Sequence, residues 1–329
     1  MKPFKRRAAI QYAACLTLLA GYSVQAWAQD AYPTRPVHIV VPSAAGGASD
    51  LMARLLADQM GKTLGTSVIV ENKPGAGNII GTAYVAKSAP DGYTFLLTYT
   101  DHVFNPYLHK NLSFDAERDF RPVAYLGSVP QVIVATNSLP ADTLPGLIAQ
   151  AKQHPGKLNF GSVGTGSSMH LAGELLKSMT KIDIVHVPYN GLPAATVGVI
   201  SNEIQLLFPT LSSARKAIEA GQVKALAMGS TERSAQMPDV PTAAEAGVPG
   251  YEAAIWYALL APAKVPEAIV SKINKEVNRA LADPQVAAML AERGFALKPG
   301  TPQELGALMQ RDSLRWGKVI REAHLQQTE

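Results

Sequence analysis

The feature that most constrains this chain is a recurring unit in which a short β-branched run leads through a turn of glycine, small and hydroxyl residues into an apolar helix face. The run 37–41 (VHIVV) enters PSAAGGASD at 42–50, and apolar residues then recur at Leu51, Leu55, Met52, Leu56 and Met60. Period-two runs that feed 3.6-period segments specify a layered α/β fold with parallel strands. Ser49 or Asp50 is the expected cap of that first helix.

The same grammar repeats. Strand 68–70 precedes the turn Pro74-Gly75-Ala76-Gly77 and a helix over 79–88, and 93–98 reads as strand. Apolar runs at 123–126 and 132–135 precede a helix at 144–154. Strand 158–160 then enters a second wide turn at 161–168 and a helix at 169–179. Strand 184–187, the turn Pro188-Tyr189-Asn190-Gly191, strand 204–208, helix 213–221 and strand 225–228 complete a second unit. After an irregular Pro/Gly-rich stretch at 238–251 come strand 255–260 and helical segments at 266–281, 284–293 and 302–323, which need the first unit to bury against. The expected organisation is a leader at 1–28, a discontinuous first lobe at 29–127 with 253–329, and a second lobe at 128–252. Trp256 and Tyr257, near the second crossing, are candidates to wall a cleft.

Charge sharpens the picture. The 329 residues carry 30 basic and 26 acidic side chains, but Lys2, Lys5, Arg6 and Arg7 precede a short apolar run and the small-x-small pattern Ala26-Trp27-Ala28, which is a secretory leader. Removing those four basic residues leaves the mature chain formally neutral, without a nucleic-acid footprint. The single cysteine, Cys15, lies inside the leader, so thiol and disulfide chemistry are excluded from the mature protein. Arg6-Arg7 leaves the general and twin-arginine routes both open, and either ends outside the cytoplasm.

The turns at 42–50, 74–81 and 161–168 point to anions, because a helix start presents unpaired N–H groups and glycine lets a ligand approach the backbone. Gly75, Gly77 and Gly81 are spaced GxGxxxG behind Pro74, a poor dinucleotide fingerprint. No G-x-x-x-x-G-K-[ST] or G-x-S-x-G occurs, although Ser162, Ser167 and Ser168 lie near His170. The histidines form no H-x-x-x-H or H-E-x-x-H pair, so neither a metal nor another cofactor is expected.

Taken in order, Tyr32-Pro33 with Pro36, PSAAGGASD, VIVENKPGAGNIIG, SAPDGYTFLL, FRPVAYLGSVP, PGKLNFGSVGTGSSMHLAGELLKSM, VHVPYNG, MPDVPTAAEAGVPGYEA and WGKVI resemble the Bug family over nearly the whole mature chain. These are the extracytoplasmic solute-binding proteins of tripartite tricarboxylate transport systems. The resemblance implies a type II periplasmic binding-protein fold, two α/β lobes joined by two crossover segments, with the ligand enclosed between them. It further implies a monomeric, periplasmic, non-enzymatic receptor whose partners are a small carboxylate solute and the membrane components of a tripartite transporter.

Carried over residue by residue, the implied first-lobe contacts are Ser43, Ala44, Ala45, Gly46, Gly47, Ser49 and Asp50, with Tyr99 and Asp101. The second-lobe contacts are Gly161, Ser162, Gly164, Thr165, Gly166, Ser167, Ser168, His170, Tyr189, Gly191, Pro209 and Thr210. Two departures bear on the solute. Ser43 stands where many relatives have Phe, and Pro209-Thr210 follows Phe208 where many carry an acid, which favours a plain mono- or dicarboxylate, aromatic ones included, over an amino acid. Asp101 beside His102 is an alternative acceptor. Two other functions stay open at this point: a ligand-sensing partner of a membrane sensor kinase, and an exported serine hydrolase using a serine of 162–168 with His170.

Overall fold

The computed structural model describes residues 32–326; the leader at 1–28, with Cys15, lies outside the described residues. The chain divides into the units Met1–Arg35 and Pro36–Glu329, and the second contains every element discussed below.

Five strands form a first sheet: β1 (Val37–Val41), β2 (Val68–Asn72), β3 (Thr94–Tyr99), β4 (Phe120–Pro130) and β10 (Ala254–Pro262), in the order β2-β1-β3-β10-β4. β1 lies parallel to β2 and β3, whereas β10 runs antiparallel to β3 and β4. The run VHIVV is buried almost throughout, as a strand covered on both faces requires. The second sheet joins β5 (Val132–Thr136), β6 (Leu158–Ser162), β7 (Ile184–Pro188), β8 (Leu206–Leu207) and β9 (Val223–Met228) in the order β7-β6-β8-β5-β9. There β6 is parallel to β7 and β8, and β5 is antiparallel to β8 and β9. The two sheets therefore repeat one plan, three parallel strands, then one reversed strand, then a fifth running the same way as the first three.

Helices α1 (Ala48–Leu64), α2 (Ile79–Ala86) and α3 (Asp101–Leu108) belong to the first sheet, and α4 (Leu144–Gln153), α5 (Ser168–Thr180), α6 (Leu192–Ile200) and α7 (Leu211–Glu219) to the second. α3 was not anticipated, because Pro106 interrupts a short segment with polar His102 and Asn105 on its buried side. The strand expected over 204–208 is reduced to Leu206–Leu207.

The chain passes from one sheet to the other through the single residue Gln131 between β4 and β5, and returns between β9 and β10. The two passages meet: Gly229 N–H donates to Gln131 O at 2.7 Å and Ala253 N–H donates to Gly229 O at 2.8 Å. Gln131 is buried, and its side-chain amide donates to Phe208 O at 2.7 Å. The closing helices α8 (Glu267–Leu281), α9 (Pro284–Glu292) and α10 (Pro302–Glu322) return to the first sheet, where α8 packs on β4 and α1, and α10 on β4 and α3. α10 starts at a capping box formed by Thr301 and Glu304 and buries Leu305, Trp316, Val319 and Ile320 at helical spacing. Its far end also reaches α5, where Ser178 donates to Glu322. Among the described residues no helix is long and apolar enough to cross a membrane.

Candidate functional site

In an open α/β sheet, ligands bind beyond the carboxyl ends of neighbouring parallel strands whose connections leave in opposite directions. β1 and β3 are such a pair in the first sheet, and β6 and β8 in the second. The residues that follow these four strands are 42–47, 100–101, 163–167 and 208–210.

In the first sheet the chain leaves β1 through Pro42 and turns at Gly46, whose φ of 86° is open to glycine at no steric cost. Gly47, in extended backbone, is the N-cap of α1, and it offers no side chain to the helix amides. This corrects the expected cap. Ser49 and Asp50 lie within the first turn, where Asp50 Oδ2 accepts Gly46 N–H at 2.9 Å and Arg54 Nε–H at 3.0 Å. The Arg54 guanidinium holds the Asp50 carboxyl below its ordinary range, so the acid at this helix start is charged and already paired. Ser43 Oγ lies 2.8 Å from Ser49 Oγ, and Asn72 Nδ2 donates to Ser43 O at 3.1 Å. The loop is thereby fixed by its own side chains, while the first-turn amides of α1 keep no intrahelical acceptor.

The start of α1 borders a cavity of about 610 Å³ lined by Ser43 to Ser49, Tyr99, Ile255 and Tyr257. No charged side chain lines it. Tyr99 and Tyr257 lie against each other in its lining, with ring centroids 5.8 Å apart. Behind them Asn78, in left-handed backbone at φ 73°, donates to the Tyr99 hydroxyl and to Asp101 Oδ2. Burial pushes the Asp101 carboxyl up to about 7, opposed by hydrogen bonds from Asn78 and the backbone, and its Oδ1 has no partner. Burial also pushes the Tyr257 hydroxyl up to about 12, helped by Asp101. His102 next door is held down to about 4 by burial and donates from Nε2 to Ala116 O at 2.9 Å.

The second-sheet loop has the same start but a different lock. Ser167 caps α5 by accepting His170 N–H, and Gly166 N–H donates to His170 Nδ1 at 3.0 Å. Ser162 is fully buried; its Oγ accepts Gly164 N–H at 3.0 Å and lies 2.6 Å from His186 Nε2. Thr165 at the tip is exposed and Ser168 half-buried. A side chain at Gly166 would come within 3.1 Å of Leu108 Cδ1 of α3, so this loop approaches the first lobe there. The Tyr189 ring packs against Gly161 and Gly198, with its hydroxyl directed at Gly198 of α6, and Gly191 opens α6. Pro209 and Thr210 follow β8 beside Gln131, and Thr210 Oγ1 lies 2.7 Å from Ser213 Oγ.

The structure thus gathers Ser43 to Gly47, Ser49 and Tyr99 around one cavity, with Asp50 and Asp101 one step behind it. The second-sheet residues do not line that cavity. Asn78 and Ile255 were missed. An Asn closing a Gly-Ala-Gly turn is the residue type that tolerates left-handed backbone, and that was the available signal for the former.

Two α/β sheets of like plan, linked by two adjacent passages and carrying glycine-rich loops at equivalent strand ends, define a two-lobed periplasmic binding-protein fold. The chain belongs to the tripartite tricarboxylate transporter receptor family, TctC, whose profile matches residues 52–325. It is 36% identical over 295 residues to the protein BugT of Bordetella pertussis, covering 89% of this chain and 90% of that one. Among solved structures it is similar to Rpa4515 of R. palustris with adipate, with TM-score 0.73 and 35% identity over 89% of this chain and 98% of the other. It is also similar to MatC of Rhodopseudomonas palustris with bound malate, with TM-score 0.69 and 33% identity over 88% of this chain and all (100%) of the other.

Proposed function

We propose that the protein is a periplasmic solute receptor, released from its leader after Ala28, that takes a small carboxylate between its lobes and delivers it to the membrane components of a tripartite transporter. The lobes we assign are 36–130 with 254–326, and 132–253, each taking one sheet whole. The observation that carries this reading is the uncapped start of α1, opening onto an uncharged cavity at the strand pair β1 and β3. A carboxylate there meets N–H donors and the positive end of a helix without displacing a resident counter-ion.

Uncharged donors suffice. Micromolar affinity needs about 8 kcal/mol, and hydrogen bonds to a charged group contribute roughly 1.5–3 kcal/mol each, so several donors from two loops offset desolvation and ordering. The diacids in Rpa4515 and MatC support a mono- or dicarboxylate here. Pro209-Thr210 in place of an acid supports one without an ammonium group.

The buried position of Ser162, committed to Gly164 and paired with His186 rather than His170, supports a receptor over a serine hydrolase. Titration calorimetry of refolded, ligand-stripped mature protein with adipate, malate and their dimethyl esters tests the reading. Binding of a diacid and not of its ester is expected. Ester turnover, or failure to bind any of a panel of mono-, di- and tricarboxylates, overturns it.

A further inference from the structure

Beneath the second-sheet loop two imidazoles lie face to face. His170 of α5 and His186 of β7 stack with centroids 3.6 Å apart and planes 12° from parallel. Each ring holds one end of the loop. His170 Nδ1 accepts the Gly166 N–H, and His186 Nε2 meets the Ser162 hydroxyl, which accepts the Gly164 N–H and lies 3.0 Å from Gly164 O. Because Nδ1 of His170 is an acceptor, its ring proton sits on Nε2, which faces Glu174 Oε1 at 3.7 Å. Glu174 in turn binds Lys177 at 2.8 Å. The charged groups around the stack are thus Glu174 and Lys177, both from α5; Phe160 of β6 covers its remaining side, 5.1 Å from the His186 ring and 5.9 Å from the His170 ring.

We propose that His170 and His186 are positioning residues that hold the 162–168 loop in its solute-binding form only while both rings are uncharged, so that a proton entering the stack releases the loop. The inference rests on the receptor reading in one respect, that this loop contacts the solute.

The chemistry is local. A proton on His170 Nδ1 would point N–H at the Gly166 N–H, replacing an attraction with a repulsion. A proton on His186 puts a cation against the face of a neighbouring imidazole and within reach of Lys177. Burial and the His170 neighbour hold the His186 ring down to about 4, with Glu174 opposing them, so the His186 end of the latch keeps its neutral ring through neutral and mildly acid conditions. The neutral ring is the form the fold favours. Its contribution is complete above the unfolded value near 6.5 and is lost as the pH falls through about 4.

The test uses the ligand-free mature protein first, so that it does not depend on any solute. Backbone amide resonances of Gly164 and Gly166 are followed by NMR from pH 7.5 to 3 together with the two imidazoles, with the Gly229 amide as a control. The expected result is that Gly164 and Gly166 shift in step with the rings while Gly229 does not. Ring titration that leaves both loop amides unmoved overturns the proposal.

A double variant, His170→Asn with His186→Gln, keeps an amide that can donate or accept at each position but cannot take the proton. Its loop amides are expected to stay flat over the same range; a titration step that survives in them overturns the proposal. Adipate and malate are then the binding probes, read as the ratio of wild-type to variant Kd at each pH, since the diacids' own titration cancels in that ratio. A rise of about tenfold by pH 3, the value of one lost hydrogen bond, is expected. A constant ratio overturns the latch. If neither diacid binds at any pH, the receptor reading is what suffers, and the amide titration still decides the latch.

Discussion

Replacing Asp101 with Asn should remove a pH dependence from the stability of the fold. The carboxyl is buried behind Tyr99 and Tyr257, with one oxygen unpartnered, and burial lifts it from 3.8 to about 7. The folded state therefore holds this proton more tightly than the unfolded chain does. Its stabilising contribution is complete below the unfolded value and is lost as the pH rises through 7. Between pH 5 and 8 the wild type must ionise a desolvated acid, which costs roughly 3 kcal/mol, two pH units at ~1.4 kcal/mol each. Asn at this position keeps an oxygen to accept the Asn78 N–H and carries no charge. The assay is urea unfolding of both proteins at half-unit steps, with the difference in unfolding free energy plotted against pH. His102 works in the opposite direction but is common to both proteins, so it cancels. The variant should gain on the wild type by about 3 kcal/mol from pH 5 to 8. Parallel pH profiles would refute the reasoning, because they would mean that the Asp101 carboxyl is ionised throughout or is reached by water.

Two helical glycines should respond oppositely to alanine. At Gly81 a Cβ meets Lys73 O and Pro42 at 2.8 Å, so Gly81→Ala should cost about 1–3 kcal/mol and push the loop after β1 out of place, while at Gly61 the nearest atom is 3.5 Å away and Gly61→Ala should stabilise by ~0.5–1 kcal/mol; chemical unfolding and calorimetry with a diacid read both. Gly46→Asn has left-handed backbone that Asn tolerates and nothing within 4 Å, so it should change stability by less than ~1 kcal/mol and weaken diacid binding about tenfold; unchanged affinity would take Gly46 out of the site. Thr301→Ala removes the capping box of α10 and should lower stability by about 1 kcal/mol without altering affinity.

How much of this was legible in the sequence depends on how local the cause is. β1 begins and ends where its β-branched run does, and the loop at 42–47 lies where the glycines and serines put it, because both are properties of adjacent residues. The cap of α1 was misassigned because Ser49 and Asp50 are good capping types, yet the chain spends them on Ser43, Gly46 and Arg54 and leaves the helix amides bare. Non-local facts were out of reach. Nothing near Ile255 says that β10 inserts between β3 and β4, yet that pairing brings Ile255 and Tyr257 to the cavity. Likewise His170 and His186 are 16 positions apart in the chain, and their stack exists only because α5 packs over the β6–β7 pair. In the sequence His170 reads as a loop contact or as the partner of a nearby serine. Its stacking partner comes from another strand.

The most direct test of solute capture at the start of α1 is a crystal structure of the mature protein grown with whichever diacid calorimetry selects, adipate or malate. A carboxylate is expected within hydrogen-bond distance of the backbone amides between Gly47 and Ser49, with the 163–166 loop closing on it from the second lobe. A diacid bound away from both loops, or held by a charged side chain outside them, would contradict it.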